Sequence, residues 1–166
     1  MNNMLERTET MRRQAKANSL IKEYSFGSSL TGFIPIPFID TLGLIGVQRI
    51  MIYRLSKIYN VTYSKSLAKI WITTLMSGVA QNAVLPVFKG IVKIIPGFGL
   101  ITVGTSMAVL GAASTYAVGK IFQQHFEKGG TLENFDPEKA TDMFNAELKK
   151  GKDLSQSKGK SSSQNT

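Results

Sequence analysis

The sequence contains no cysteine and a single histidine, His125. The absence of thiols excludes disulfide bonds, thiolate metal sites and a cysteine nucleophile. One histidine cannot form a metal site built from several histidines. His125 falls at the predicted end of a helix, where we expect fraying rather than a Ser-His-Asp arrangement. We therefore predict a non-enzymatic protein with no catalytic residue, no cofactor and no metal site.

Acidic residues are scarce in the middle of the chain. Residues 24–125 hold eight Lys or Arg and one acid, Asp40, whereas residues 1–23 hold five basic and three acidic residues and residues 126–166 hold seven of each. Most of the net charge of +9 therefore falls on the most apolar part of the chain. Positive charge on an apolar body favours anionic membrane lipids as partners. Nucleic acid is not expected, because the basic residues are spread singly and do not alternate with aromatic ones.

Helical periodicity interrupted by proline and glycine predicts an all-α fold. The predicted segments are an amphipathic N-terminal helix over residues 1–24, an apolar membrane-associated helical domain over 25–130, a C-terminal helix over 131–150 and a disordered tail over 151–166. Pro35 and Pro96 interrupt the apolar domain, Asn60 ends a helix within it, and Asp136 with Pro137 marks the start of the last helix. We expect a compact helical bundle with two Pro/Gly-broken apolar helical hairpins.

Two stretches of the apolar domain carry no charge over lengths that suggest membrane crossing. Residues 70–88 are uncharged for 19 residues, and residues 94–119 are uncharged for 26. A hydrocarbon core about 30 Å thick needs roughly 20 apolar residues, so the second stretch is the better candidate for a transmembrane helix. Within it Ala113 and Ala117 lie four residues apart, a spacing of small residues that lets helix backbones approach closely.

Four charged residues of the apolar domain are the candidate functional side chains. Asp40 either forms a buried ion pair with Arg49 or acts as a proton or ion ligand inside a membrane, or else it caps a helix and offsets its dipole. Lys89 and Lys93, one turn apart, either contact lipid phosphates or form the solvated face of a short helix. The sequence leaves both pairs of alternatives open.

Three motifs resemble a known bacterial family. In chain order they are Gly32-Phe33-Ile34-Pro35-Ile36-Pro37-Phe38-Ile39-Asp40, Gln48-Arg49-Ile50-Met51-Ile52-Tyr53-Arg54-Leu55 and Ile94-Ile95-Pro96-Gly97-Phe98-Gly99. Over about residues 15–130 their order and spacing are similar to the YcjF-like, GTPase-associated domain of unknown function. The resemblance implies the signature positions Pro35, Pro37, Asp40, Gln48, Met51, Pro96 and Gly99. It also implies a helical, membrane-associated domain and, since these residues contain no GTPase domain, a separate small GTPase as partner.

Three functional hypotheses follow, and homo-oligomerisation is compatible with each. The first is a scaffold of the bacterial inner membrane, integral or tightly peripheral, that docks a partner such as a small GTPase through its polar ends. The second is a pore or transport component in which Asp40, Arg49 and the broken helices at Pro35 and Pro96 form a polar path. The third is a soluble helical bundle in which residues 94–119 are simply buried.

Overall fold

The computed structural model describes residues 2–26, 41–79 and 99–162. Within these ranges the chain is helical and contains no β-strand, which confirms the predicted all-α fold. In chain order the helices are α1 (Asn2–Phe26), α2 (Thr41–Tyr59), α3 (Lys65–Val79), α4 (Gly99–Glu127) and α5 (Pro137–Ser162). The expected helix breaks at Pro35, Pro37 and Pro96 lie outside the described residues.

Helix α4 forms the centre of the bundle and contacts each of the other four helices. Helix α2 runs parallel to it, since Gln48 contacts Ser114 and Tyr59 contacts Glu127 farther along. The side chains that α4 buries in the core are apolar and mostly small or aromatic: Ala113, Ala117, Val118, Ile121, Phe122 and Phe126. Burial of this apolar surface is the main stabilising contribution to the fold.

Helix α1 packs against the bundle through its C-terminal half. Ala17 and Ile21 have no exposed surface, and the ring of Phe26 lies 5.9 Å from the ring of Tyr116 on α4. Residues 3–13, in contrast, are all exposed. The N-terminal half of α1 therefore projects from the bundle as a helix whose sides all face solvent.

Small residues let α4 and α5 approach each other closely. A β-carbon added at Gly151 would lie 2.9 Å from the Cα atom of Ala113, which confirms that small residues on α4 permit close backbone contact. Helix α5 continues past this point to Ser162, whereas the sequence predicted a C-terminal helix over 131–150 and a disordered tail from residue 151. Composition is misleading here because glycine usually weakens a helix, yet the missing side chain of Gly151 is what allows α5 to lie against α4.

Helix α2 ends at the residue that the sequence indicated. Asn60 follows the last helical residue, Tyr59, and has a φ of 55°, in the left-handed region. The Val61 N–H donates to the carbonyl oxygen of Ser56 at 2.8 Å. This pairing across a left-handed residue is the Schellman arrangement that closes helix C-termini, and it turns the chain towards α3.

The turn between α4 and α5 is held from both sides. Asp136 Oδ1 accepts hydrogen bonds from two backbone N–H groups at 3.1 and 3.2 Å, and Pro137 is the first helical residue, as predicted.

The expectation of a frayed helix end at His125 is wrong. Its Nε2 lies 2.8 Å from the Thr131 carbonyl oxygen and 3.0 Å from Asn134 Oδ1. Because both partners are acceptors, Nε2 carries the proton, and the end of α4 is tied to the turn.

No helix in the described part of the chain combines the length and the apolar content needed to cross a bilayer. Of the two stretches predicted to span a membrane, residues 80–88 and 94–98 lie outside the described residues. The rest of the second stretch belongs to α4, where Ala113, Ala117 and Val118 are buried against other helices of this chain.

Candidate lipid-binding surface

The outward face of α2 carries two exposed apolar side chains among three cations. Ile50 is 52% exposed and Tyr53 is 44% exposed. Arg49 precedes Tyr53 by four residues, and Lys57 follows it by four. Arg54 follows Ile50 by the same interval. Since residues four apart are neighbours on a helix surface, each cation adjoins one of the apolar side chains. We call these five residues the α2 patch.

The tyrosine of the α2 patch is oriented by its neighbours. Its ring packs edge-on against Tyr63, with centroids 5.2 Å apart and planes at 74°. The Nζ atom of Lys57 lies 5.5 Å from the centroid of the Tyr53 ring, within cation–π range. The Tyr63 hydroxyl donates to the carbonyl oxygen of Arg49 at 3.5 Å. The loop after α2 therefore supports the ring of Tyr53 from one side.

The outward face of α3 has similar chemistry. Lys65 and Lys69 are exposed near its start, and Ile70 is 48% exposed. Farther along, the hydroxyls of Thr73 and Thr74 donate to the Ile70 carbonyl oxygen at 2.8 and 2.9 Å. Because these donors are satisfied within the helix, this face could be covered by another surface without leaving these hydroxyls unpaired.

Helices α2 and α3, which pack against each other, carry only positive charge. Residues 41–79 contain no Asp or Glu, and their five cations are Arg49, Arg54, Lys57, Lys65 and Lys69. Among the described residues, ion pairs join Lys139 to Asp136 and Lys150 to Glu147, and none involves these five cations. We call α2 and α3 with these side chains the cationic hairpin. Its positive field is not offset by any acid of its own helices, so it attracts anions.

Two of the signature positions, Gln48 and Met51, lie on the buried side of α2 and have no exposed surface. Gln48 Nε2 donates to the hydroxyl oxygens of Ser114 and Thr115 at 3.4 and 3.3 Å. A β-carbon added at Gly119 would lie 3.1 Å from the terminal carbon of Met51. These contacts hold α2 against α4 and so determine which face of α2 points outward.

A cluster of polar side chains, which ends at the exposed Glu127, links α1, α2 and α4. Lys120 Nζ donates to Asn18 Oδ1 and to Gln123 Oε1, both at 2.8 Å. Gln123 Nε2 and the Tyr59 hydroxyl both donate to Glu127 Oε1, at 3.0 and 2.7 Å. Burial lowers the pKa of Lys120, while burial and the hydrogen bond to Glu127 raise the pKa of Tyr59. Lys120 is thus occupied between helices and adds little to the outward charge of the hairpin.

Few of the candidate and signature residues predicted from the sequence lie on the outward faces of α2 and α3. Those outside the described residues are Pro35, Pro37, Asp40, Lys89, Lys93 and Pro96. Gly99 is the first residue of α4. Arg49 is partly buried at the edge of the outward face of α2, and its buried Nε atom has no hydrogen-bond partner among the described residues. The structure therefore describes one member of the proposed Asp40–Arg49 pair, and that member is partly buried.

Comparisons with known proteins establish the family. Residues 1–153 match the family described as "Domain of unknown function (DUF697)". The chain is also 30% identical over 147 residues to "Magnetosome membrane protein 22" of Magnetospirillum gryphiswaldense, an alignment that covers 88% of this chain and 75% of the relative. No solved structure matches the chain. The chain therefore belongs to the DUF697 family of domains of unknown function.

Proposed function

We propose that this chain is a non-enzymatic accessory protein of the bacterial inner membrane that binds anionic lipids through the cationic hairpin. The observation that carries the proposal is the set of four exposed cations and one partly buried cation, Arg49, on α2 and α3, with no acid on either helix. Each Lys or Arg near an anionic membrane surface contributes about 1 kcal/mol of attraction. Ile50, Tyr53 and Ile70 are exposed on the same two helices and can add an apolar contribution.

The family relationship supports the membrane part of the proposal. The relative that is 30% identical to this chain over 147 aligned residues is named as a membrane protein of the magnetosome. Its alignment covers most of both chains, so the likeness extends over the whole bundle rather than one motif. Membrane association is the one property of this relative that we propose for the present chain.

The non-enzymatic part of the proposal rests on the side chains that are present. The chain has no cysteine, and its single histidine is engaged by Thr131 and Asn134 in the turn after α4. Burial and a hydrogen bond to the exposed Glu127 raise the pKa of Tyr59, whose hydroxyl is engaged in that contact between α2 and α4. An imidazole and a phenol used in this way support the helix packing and are not directed at a substrate.

A separate small GTPase is the proposed partner, and this part of the proposal derives from the YcjF-like resemblance. The projecting half of α1, residues 3–13, supplies an exposed helical surface for a partner. Its exposed apolar side chains are Met4, Leu5 and Met11. The test is the binding of a purified small GTPase encoded beside this chain, loaded with GDP or with a GTP analogue. If it binds the wild-type chain no better than a chain lacking residues 2–13, the GTPase proposal is wrong.

Co-flotation with lipid vesicles tests the membrane part. We expect the purified chain to float with phosphatidylglycerol vesicles and to stay at the bottom of the gradient with phosphatidylcholine vesicles. Only phosphatidylglycerol has a net negative charge, because the choline cation of phosphatidylcholine balances its phosphate. Raising the salt concentration should weaken the binding, since salt screens exposed charges. Equal flotation with both lipids, or flotation with neither, would contradict the proposal.

A further inference from the structure

The α2 patch differs from an ordinary basic surface because its centre is apolar. Ile50 and Tyr53 are each about half exposed and lie three residues apart on the same face of α2. Arg49, Arg54 and Lys57 adjoin them at four-residue spacing. Charge alone would not require two large apolar side chains at the centre of such a group, whereas a surface that enters a boundary between phosphates and acyl chains would.

The geometry of Tyr53 suits that boundary. The edge-on contact with Tyr63 and the position of Lys57 beside the ring restrict how the phenol can turn. Tyrosine has an apolar ring and a polar hydroxyl, and it is enriched where hydrocarbon meets headgroups. Lysine and arginine bury their methylene stems along apolar surface and keep the charge at the level of the phosphates.

We propose that the α2 patch is an insertion point: Ile50 and Tyr53 enter the headgroup boundary of an anionic bilayer while Arg49, Arg54 and Lys57 contact lipid phosphates. This inference rests on the proposed function and specifies which helix face meets the lipid and how it is held. A lipid surface is the occupant because α2 and α3 offer cations and apolar side chains without a single carboxylate. The threonine hydroxyls of α3, moreover, are already bonded within their own helix.

The absence of cysteine makes the test direct, since one introduced thiol can be labelled uniquely. Ile50→Cys and Leu154→Cys, carrying the environment-sensitive dye NBD, form a matched pair because both positions are exposed and aliphatic. On phosphatidylglycerol vesicles we expect the label at position 50 to brighten several-fold, to shift to the blue and to be quenched by lipids brominated near the headgroup. The label at position 154 on α5 should show the same emission with vesicles as in buffer without them.

The two levels of the proposal can fail separately. If both labelled chains float with the vesicles but the label at position 50 stays in water, the insertion point is wrong and lipid binding through the hairpin stands. If neither chain floats, the proposed function itself is wrong and the inference falls with it. If the label at position 50 is shielded only on membranes that retain their proteins, the patch fits an acidic protein surface and the inference is overturned.

Discussion

Replacing Lys65 and Lys69 together with glutamine is expected to weaken binding to phosphatidylglycerol vesicles about thirty-fold. The estimate follows from about 1 kcal/mol for each basic side chain near an anionic surface, with roughly 1.4 kcal/mol for each factor of ten in affinity. Both lysines are exposed on α3 and make no ion pair in the described part of the chain. Glutamine keeps a long polar side chain, so the helix should remain folded. Titration of vesicles against labelled protein gives the two dissociation constants.

Lys128→Gln with Lys149→Gln is the matched control for that experiment. It removes the same amount of charge from two exposed positions that lie outside the cationic hairpin. If the positions of the cations matter, the control should lose much less affinity than the α3 variant. An equal loss in the two variants would show that the net charge of +9 attracts the vesicles wherever it lies, and the hairpin would lose its assigned role.

Replacing Gly151 with valine is expected to lower the free energy of unfolding by about 2 kcal/mol, within the 1–3 kcal/mol typical of overpacked sites. The first carbon of the new side chain would lie 2.9 Å from both the Cα and the carbonyl oxygen of Ala113. Backbone atoms cannot move aside as the end of a side chain can, so α5 must shift away from α4. For a chain of this size the expected fall in Tm is roughly 4–8 °C. Thermal unfolding followed by circular dichroism measures it.

Gly46→Val provides the comparison, because a β-carbon at Gly46 on α2 meets nothing within 4 Å. Valine is a slightly better helix former than glycine, so this variant should match or exceed the wild-type stability by a few tenths of a kcal/mol. A Gly151 variant as stable as the Gly46 variant would mean that α5 does not rest on α4 at Ala113. The helix beyond residue 151 would then lack the contact that we assign to it.

The features that were predictable from sequence are those governed by local chemistry. Asn60 ends α2 because asparagine tolerates the left-handed conformation. Asp136 starts α5 because its carboxylate accepts from backbone N–H groups of the first turn. Each signal acts within a few residues, and the end of α2 and the start of α5 formed as expected.

The features that were missed depend on contacts between distant residues. His125 is held by residues six and nine positions later, and Gly151 lies against Ala113 on another helix. The position of His125 at a predicted helix end suggested fraying, and the composition after Lys150 suggested a disordered tail. In both cases the tertiary contact, which a local pattern does not contain, determines the structure.

The candidate surface was only partly predictable for the same reason. The scarcity of acids predicted an anion-binding region, but the residues selected within it were chosen for their charge in an apolar setting; they are Asp40, Arg49, Lys89 and Lys93. Which face of α2 points outward is set by the packing of Gln48 and Met51 against α4. Only that packing shows that Ile50 and Tyr53 are exposed among the cations.

Fractionation of bacterial cells that express the chain tests the central claim, association with the membrane, most directly. We expect the wild-type chain in the membrane pellet. We also expect a high-salt wash to release more of the variant with glutamine in place of Lys65 and Lys69 than of the wild type. A wild-type chain found in the supernatant before any wash would contradict the account.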